Sequence, residues 1–520
     1  MLKILKACLV EPAFQLTTCS DAMSAMSIFK SGTFDIVMLD VVMPGIDGFE
    51  LHTLIRNVSA EIPIIMLTAK VDDIDGTMLK KISSDRNTYY QSKTFKRDDL
   101  VAKITNIIAE ISSAREKKKY FEEMEKDAAL AGEVQHAMFP NWDVITGCAR
   151  HCFYYRPYMQ ITGDIFSVKK FSENKFLVFL GDVSGHGIQA ALWMSAVEYS
   201  LANLVNGGAF DDIAPHEVLN YLQSFMTGIA SDRYMTCLVG ILDFDTHSIS
   251  FQNAGHPDFL LYTPSEAKFI EPNPDGKGSL PVGLVRGTKY IEEDSVRLSF
   301  PPDSIIFAYT DGLTDIQDKL GKTYNMNPLR EFVEAFSKNG LGAASVFKIM
   351  DALSKMGFDD VTDDISLVSI SEYRRQKDKM DFIIKPMISE VDRFAQRVSK
   401  LVTERYGNDV LGSKVEILLS EFLNNVVVHG LDNRNASRPV ISVHIEFREK
   451  DLAFYFYDMG KRWDMHTDID DENTSSDILN YTRATSGRGL SIIKKITSSI
   501  RRNRYAGKLN ETIFTVGFEE

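Results

Sequence analysis

Four aspartates in glycine-flanked or acidic segments constrain this chain more than any other feature. They lie in Gln160–Val168 (QITGDIFSV), Leu180–Gly187 (LGDVSGHG), Tyr309–Asp315 (YTDGLTD) and Thr362–Ser366 (TDDIS). The second and third follow apolar, strand-like runs, Phe176–Leu180 and Ser304–Tyr309, and the fourth is expected, less cleanly, to follow one too. Strand ends can project carboxylates into one shared pocket, and several uncompensated carboxylates cannot crowd together without cations. Hard oxygen donors of this kind suit Mg²⁺ or Mn²⁺. Any one of the four also reads as an Asp-Gly turn or a helix cap; four in this order argue for a common site.

The stretch from about Gln135 to Ile370 resembles the bacterial, sigma-factor-regulating branch of the metal-dependent (type 2C-like) protein phosphatases. The matching pieces are QHAMFP at Gln135–Pro140, TGDIF at Thr162–Phe166, GDVSGHGIQAAL at Gly181–Leu192, RYMTCLVG at Arg233–Gly240, NAGHP at Asn253–Pro257, LPVGL at Leu280–Leu284, YTDGLT at Tyr309–Thr314 and DDISLV at Asp363–Val368. The resemblance implies an α-β-β-α sandwich with a two-metal site at one end. It places Asp182, the Val183 carbonyl, Asp311 and Asp363 on two Mn²⁺ or Mg²⁺ ions, with Asp164 nearby, and implies hydrolysis of phosphoserine without a covalent enzyme intermediate. His186 and His256 are not assigned as general acids. Ser167 stands where the family often has a second aspartate.

Composition fits a multidomain cytoplasmic chain of 520 residues, long enough for about three cores. The net charge of −14 argues against broad nucleic-acid binding, and the basic run Arg115–Lys119 reads as a solvated helix face. The five cysteines form no framework; Cys148 and Cys152 lack a second pair and read as packed thiols. No apolar run approaches a membrane span, and Met1–Val10 has no signal-peptide pattern.

The first hundred residues alternate strand and helix. Phe34–Leu39 is a strand ending in Asp40, Ile62–Leu67 a second ending at Thr68, and Tyr89–Phe95 a third carrying Lys93. This resembles a doubly wound response-regulator receiver domain (1–108). The resemblance makes Asp40 the phospho-acceptor for an upstream histidine kinase, Thr68 the sensing hydroxyl and Lys93 the ion-pair partner, with Thr94 in place of the usual proline. Receivers open with a strand ending in two acidic residues. Here Met1–Leu9 reads as the first helix and Phe14–Cys19 as the second strand, so the first strand is absent and a gap in the sheet is expected. Either the natural start lies upstream or the receiver is degenerate, and normal phosphorylation of Asp40 is not expected.

A helical linker (109–138, within a helical pattern from about Asp99 to Met138) follows. Ile104, Ile108 and Ile111 repeat at helical spacing, as do Phe121, Met124, Ala128, Ala131 and Gln135. This face either pairs with a second copy as a short coiled coil or packs on the chain's own domains. The phosphatase region is placed at 139–373.

The last section, 378–520, has its own pattern. Val415–Gly430 reads as a helix with Glu421 and Asn425 on one face, Leu452–Tyr457 as a strand leading to Asp458 and Gly460, and Ser486–Leu490 as a glycine-rich turn opening a helix. Together these resemble the anti-sigma-factor serine kinases of the histidine-kinase-type ATPase fold, an α/β sandwich. The resemblance implies ATP with Mg²⁺: Asn425 on the metal, Asp458 on the adenine, Gly460, Gly487 and Gly489 around the nucleotide, and Glu421 as general base. Arg462 replaces a common glycine, and the acidic run Asp468–Ser476 reads as a lid. A phosphatase and a kinase on one chain imply a partner-switching regulator acting on a phosphorylated anti-sigma-factor antagonist and, through it, a sigma factor. The alternative is a phosphatase fused to a non-catalytic anti-sigma factor or scaffold.

Overall fold

A computed structural model describes residues 1–9, 14–43, 45–69, 85–185, 187–206, 213–229, 232–323, 327–338, 344–431, 440–461 and 488–518. His186, Arg462, Gly487 and the segment Asp468–Ser476 lie outside them. The chain forms two compact units, Met1–Lys126 and Asp127–Glu520. One helix, Arg97–His136, carries residues of both.

In the first unit, β1 (Val37–Asp40), β2 (Ile64–Thr68) and β3 (Thr88–Ser92) form a parallel sheet in the order β1-β2-β3. Every residue of β2 is buried, as a parallel strand covered on both faces requires. Its side chains alternate. Ile64 and Met66 join Ala22, Met26, Leu51 and Ile55 from the helices Ala22–Ser31 and Gly48–Arg56. Ile65 and Leu67 join Leu5 and Leu9, together with Leu100, Ile104 and Ile107 of the long helix. Asp21 and Asp47 cap the two helices on the first face through Ser24 N–H and through Phe49 and Glu50 N–H.

The expected strand at Phe14–Cys19 does not form; the segment has no regular secondary structure. The expected gap is present as a cavity of about 580 Å³ bordered by Leu5, Phe14, Met38, Leu39 and Ile104.

The second unit opens with two antiparallel sheets. One has the order β11 (Lys268–Ile270), β10 (Leu260–Thr263), β13 (Ile305–Tyr309), β16 (Ile365–Glu372), β5 (Ala149–Arg156), β4 (Asp143–Thr146). The other runs β12 (Val296–Ser299), β9 (Ser248–Ala254), β8 (Met235–Asp243), β7 (Lys175–Val183), β6 (Asp164–Lys170). Period-2 burial builds the layers: Ile306, Ala308, Val368 and Ile370 face the second sheet's core, while Ile305, Phe307, Ile365 and Leu367 face a different cluster. Helices Ile188–Asn206 and Pro215–Gly228 cover the first cluster, and Asn327–Lys338 and Ser345–Lys355 the second.

A third antiparallel sheet has the order β17 (Lys379–Ile384), β18 (Ile441–Phe447), β19 (Asp451–Asp458), β21 (Leu509–Gly517), β20 (Ser499–Tyr505). Leu452, Phe454 and Phe456 pack under the helices Ile388–Tyr406 and Asp409–Asn425. Tyr457, Val440 and Leu509 point the other way and join Trp142 and Phe347 in the second cluster. The C-terminal sheet therefore shares an apolar core with its neighbour. A polar clasp reinforces the seam. Arg150 pairs with Asp143 at 2.8 Å and Asp381 at 2.8 Å, and Ser442 Oγ donates to Asp143 at 2.7 Å. The buried Asp143 carboxylate is thereby matched, which makes its burial tolerable.

Candidate functional site

Antiparallel pairing brings strand starts beside strand ends, and this assembles the acidic residues. Asp164 opens β6 and lies directly opposite Asp182, near the end of β7. Asp311 follows β13 and opens the short helix Gly312–Asp315. Asp363 follows the short strand Phe358–Asp360, as expected, and immediately precedes β16; β16 pairs with β13, which carries its start to the end of β13. The backbones touch at two glycines. A Cβ on Gly312 would run into the Asp364 carbonyl, and one on Gly163 would lie 2.9 Å from the Val183 carbonyl and 3.3 Å from Asp182 Oδ1.

The nest is electrostatically unbalanced. Burial, then the charges of Asp311, Asp363 and Asp364, push the Asp182 carboxyl up to about 8. Burial, then Asp182 and Asp364, raise Asp164 well above the usual carboxylate range, and burial with Asp363 and Asp315 raises Asp311. Among the described residues no group of three or more acidic, histidine or cysteine side chains is already closed around a metal position. The donor set nevertheless fits divalent cations: hard oxygens converge from four segments, and their repulsion calls for positive charge. Carboxylates in that condition stand apart until a cation draws them in.

Sequence reasoning passed over several neighbours. Asp364, beside Asp363 in the TDDIS segment, accepts from Tyr158 N–H at 2.8 Å and Gly163 N–H at 2.9 Å, and so holds the loop leading to Asp164. Thr310 Oγ1 donates to Asp164 Oδ2 at 2.9 Å and accepts from Ser366 N–H at 2.9 Å. Gln135, expected on a helical seam, is instead buried. Its amide donates to the Thr162 carbonyl at 2.8 Å and accepts from Thr162 N–H at 2.9 Å. His256 is a core histidine: its N–H donates to Asn253 Oδ1 at 2.7 Å, its Nδ1 lies 3.2 Å from Thr236 Oγ1, and burial pulls its pKa down to about 4.

A second site lies on the C-terminal sheet. Asp458 ends β19 with Oδ1 accepting from Gly460 N–H and Asn510 Nδ2, each at 2.8 Å. Its Oδ2 is buried without a partner, as is Thr512 Oγ1 nearby on β21, which makes an acceptor aimed into the layer between sheet and helices. At the other end of that layer, Glu421 and Asn425 converge on Gly489. A Cβ there would lie 2.5 Å from Glu421 Oε2 and 3.5 Å from Asn425 Nδ2. The helix Arg488–Ile496 begins at this point, so its N-terminal N–H groups face the same pair. The orphaned acceptor at one end and the amide, carboxylate and helix start at the other fit an adenine nucleotide with its Mg²⁺.

In the first unit, Asp40, Thr68 and Lys93 gather at the strand ends. Lys93 Nζ lies 2.6 Å from Asp40 Oδ1, and Lys93 N–H donates to the Thr68 carbonyl at 2.7 Å.

Comparisons with known proteins divide the chain the same way. Residues 1–105 match the response regulator receiver domain, 172–372 the Stage II sporulation protein E (SpoIIE) family, and 384–516 the histidine kinase-like ATPase domain. The chain therefore carries a receiver domain, a SpoIIE-type phosphatase domain and a histidine kinase-like ATPase domain. Among curated relatives, phosphoserine phosphatase RsbP of Bacillus subtilis is 26% identical over 31% of this chain and 39% of its own length. The probable transcriptional regulator ycf27 of Cyanidium caldarium is 33% identical over 23% of this chain and 47% of its own. The chain thus spans less than half the length of these relatives. Among solved structures, the RsbU and RsbW domains of Rv1364c from Mycobacterium tuberculosis cover 72% of this chain and 95% of that one at 18% identity and a TM-score of 0.37.

Proposed function

We propose that this protein is a metal-dependent phosphoserine phosphatase of a partner-switching system, acting on a phosphorylated anti-sigma-factor antagonist and so on a sigma factor. The observation that carries the reading is the buried nest of carboxylates around Asp182, whose mutual repulsion and burial raise Asp182 and Asp164. Asp182, the Val183 carbonyl, Asp311 and Asp363 would hold two Mn²⁺ or Mg²⁺ ions, with Asp164 beside them. When bound, such ions supply an activated water and screen the phosphate charge.

The chain's own part is positioning. Asp364 and Thr310 fix the loop and the rotamer of Asp164. Arg233, held to the Ser184 carbonyl at 2.6 Å and to Gln189 at 2.9 Å, brings a guanidinium to the loop just beyond Asp182, where a phosphate would need a donor. Gln135 ties the end of the long helix to Thr162, two residues from Asp164, which supports control by the receiver domain through that helix. Phe121 and Met124, exposed on the same helix, support pairing with a second copy. The domain limits 1–108, 109–138, 139–373 and 378–520 are kept as part of this reading, as is an upstream histidine kinase as a partner, without normal phosphorylation of Asp40.

For the ATPase-type domain the favoured reading is a serine kinase on the same antagonist. Asp458, Gly460, Asn425 and Gly489 would hold MgATP, with Gly487 in the phosphate turn, and Glu421 would serve as general base. The convergence of Glu421 and Asn425 on Gly489 favours an enzyme over a scaffold. The test is incubation with phosphorylated antagonist proteins, with and without Mn²⁺, followed by mass measurement. Metal-dependent loss of one phosphate is expected, abolished in Asp182→Asn. ATP-dependent gain of that phosphate, lost in Glu421→Ala, separates the kinase from the scaffold.

A further inference from the structure

The turn between β20 and β21 touches both sites of the second unit. On the nucleotide side, Asn510 Nδ2 donates to Asp458 Oδ1 at 2.8 Å and to the Gly460 carbonyl at 3.0 Å. Arg504 spans from there to the turn. Its Nη1 donates to the Gly460 carbonyl and to Asn510 Oδ1, both at 3.1 Å, while Nε and Nη2 donate to the Gly507 carbonyl at 2.9 and 2.7 Å. Gly507 has a φ of 63°, a left-handed turn position suited to glycine.

The next residue faces the phosphatase-type sheet. Lys508 Nζ donates to the Tyr155 carbonyl at 2.7 Å and sits over the Tyr154 ring, 4.7 Å from its centre. Burial pulls the Lys508 pKa down to about 8, and Arg156 adds to the effect. This half-buried ammonium, with a carbonyl and a ring face, pairs with no carboxylate among the described residues and is held by the turn that delivers it. Tyr155 continues the line: its backbone pairs with Ser366 of β16, whose N–H donates to Thr310 Oγ1 at 2.9 Å, and that hydroxyl donates to Asp164 Oδ2 at 2.9 Å.

We propose that this turn couples the two sites, so that nucleotide in the Asp458 pocket resets Arg504 and Lys508, and Lys508 acts through Tyr155, Ser366 and Thr310 on Asp164 to set the rate of phosphoserine hydrolysis. A ligand that engages Asp458 Oδ2 pulls on the carboxylate whose other oxygen holds Asn510 and Gly460, the two groups Arg504 grips. The links are hydrogen bonds, the Gly507–Lys508 peptide and the pairing of Tyr155 with Ser366, a contiguous network of the kind such coupling needs. Lys508 is a positioning residue in this scheme. The inference rests on both functional readings given above.

The experiment uses the full chain, p-nitrophenyl phosphate with Mn²⁺ as the phosphatase probe, and a β,γ-imido analogue of ATP, with calorimetry to establish saturation. Saturating analogue is expected to change kcat/KM by about fivefold, the low end of ordinary allosteric coupling. Lys508→Met is expected to bind the analogue as wild type does but to lose the rate change, and Lys508→Arg, which keeps a donor for the Tyr155 carbonyl, to restore it. Equal wild-type rates with and without bound analogue overturn the proposal, as does a rate change that survives in Lys508→Met. Should Lys508→Met fail to fold, the wild-type comparison decides. No calorimetric binding would instead sink the nucleotide reading, and no basal hydrolysis the phosphatase reading, and the coupling falls with either.

Discussion

Asp40 and Asp182 are both carboxylates at the ends of strands, but they live in opposite company. Asp40 has Lys93 at 2.6 Å, a cation delivered from the end of β3, two strands across the sheet. Asp182 stands among Asp164, Asp311, Asp363 and Asp364, and its carboxyl is pushed up to about 8. Where the chain supplies the cation, the carboxylate is balanced as folded. Where it does not, the site is built for a cation from solution. Asp458 falls between the two: one oxygen is fully engaged and the other is left open for a donor.

The largest effect that tests this contrast is Asp182→Asn. Loss of a metal-binding carboxylate should lower phosphatase turnover about a thousandfold. The same change removes repulsion, so the metal-free variant should melt at a higher temperature than wild type. Retained turnover, or a lower melting temperature without metal, would break the comparison.

The same imbalance has a pH signature. A carboxyl whose folded pKa is raised binds more protons folded than unfolded, so stability is greatest at low pH and falls as pH rises. For Asp182 the window runs from its ordinary 3.8 to about 8. Metal-free protein should therefore lose denaturant midpoint across that range, and saturating Mn²⁺ should flatten the profile. A midpoint that climbs between those pH values without metal would contradict the reading.

Asp458→Asn comes next. Replacing a charged acceptor for the adenine should weaken binding of an ATP analogue roughly tenfold to a hundredfold by calorimetry. Unchanged affinity would move the nucleotide elsewhere. Gln135→Ala strips the partners from Thr162 N–H and its carbonyl in a buried setting. The expected cost is about 1–3 kcal/mol of stability, read from the denaturant midpoint, with slower phosphatase turnover. The smallest effect belongs to the balanced pair. Lys93→Met removes a partly exposed ion pair and should change stability by less than about 1 kcal/mol. A larger loss would erase the distinction between the two carboxylates.

Much of this was legible because glycine and aspartate mark places where backbones approach and charge collects. The parallel sheet of the first unit could be read from apolar runs ending at Asp40 and Thr68. What failed to read was partnership across the chain. Phe14–Cys19 has the look of a strand, but pairing depends on a neighbour that its own residues do not report. Asp363 was legible as following a strand, but not the pairing of β16 with β13 that carries it to Asp311. Asp364, Thr310 and Gln135 were adjacent to recognised motifs, yet their roles are hydrogen bonds spanning at least 27 positions, which spacing does not encode. The Lys508 contact to Tyr155 spans 353 positions and carries no motif.

The most direct test is anomalous diffraction from crystals soaked with Mn²⁺. Two manganese peaks among Asp164, Asp182, Asp311 and Asp363, with the carboxylates drawn in around them, are the expected result. Full-occupancy manganese elsewhere on the protein, with these four side chains left apart and bare, would contradict the account.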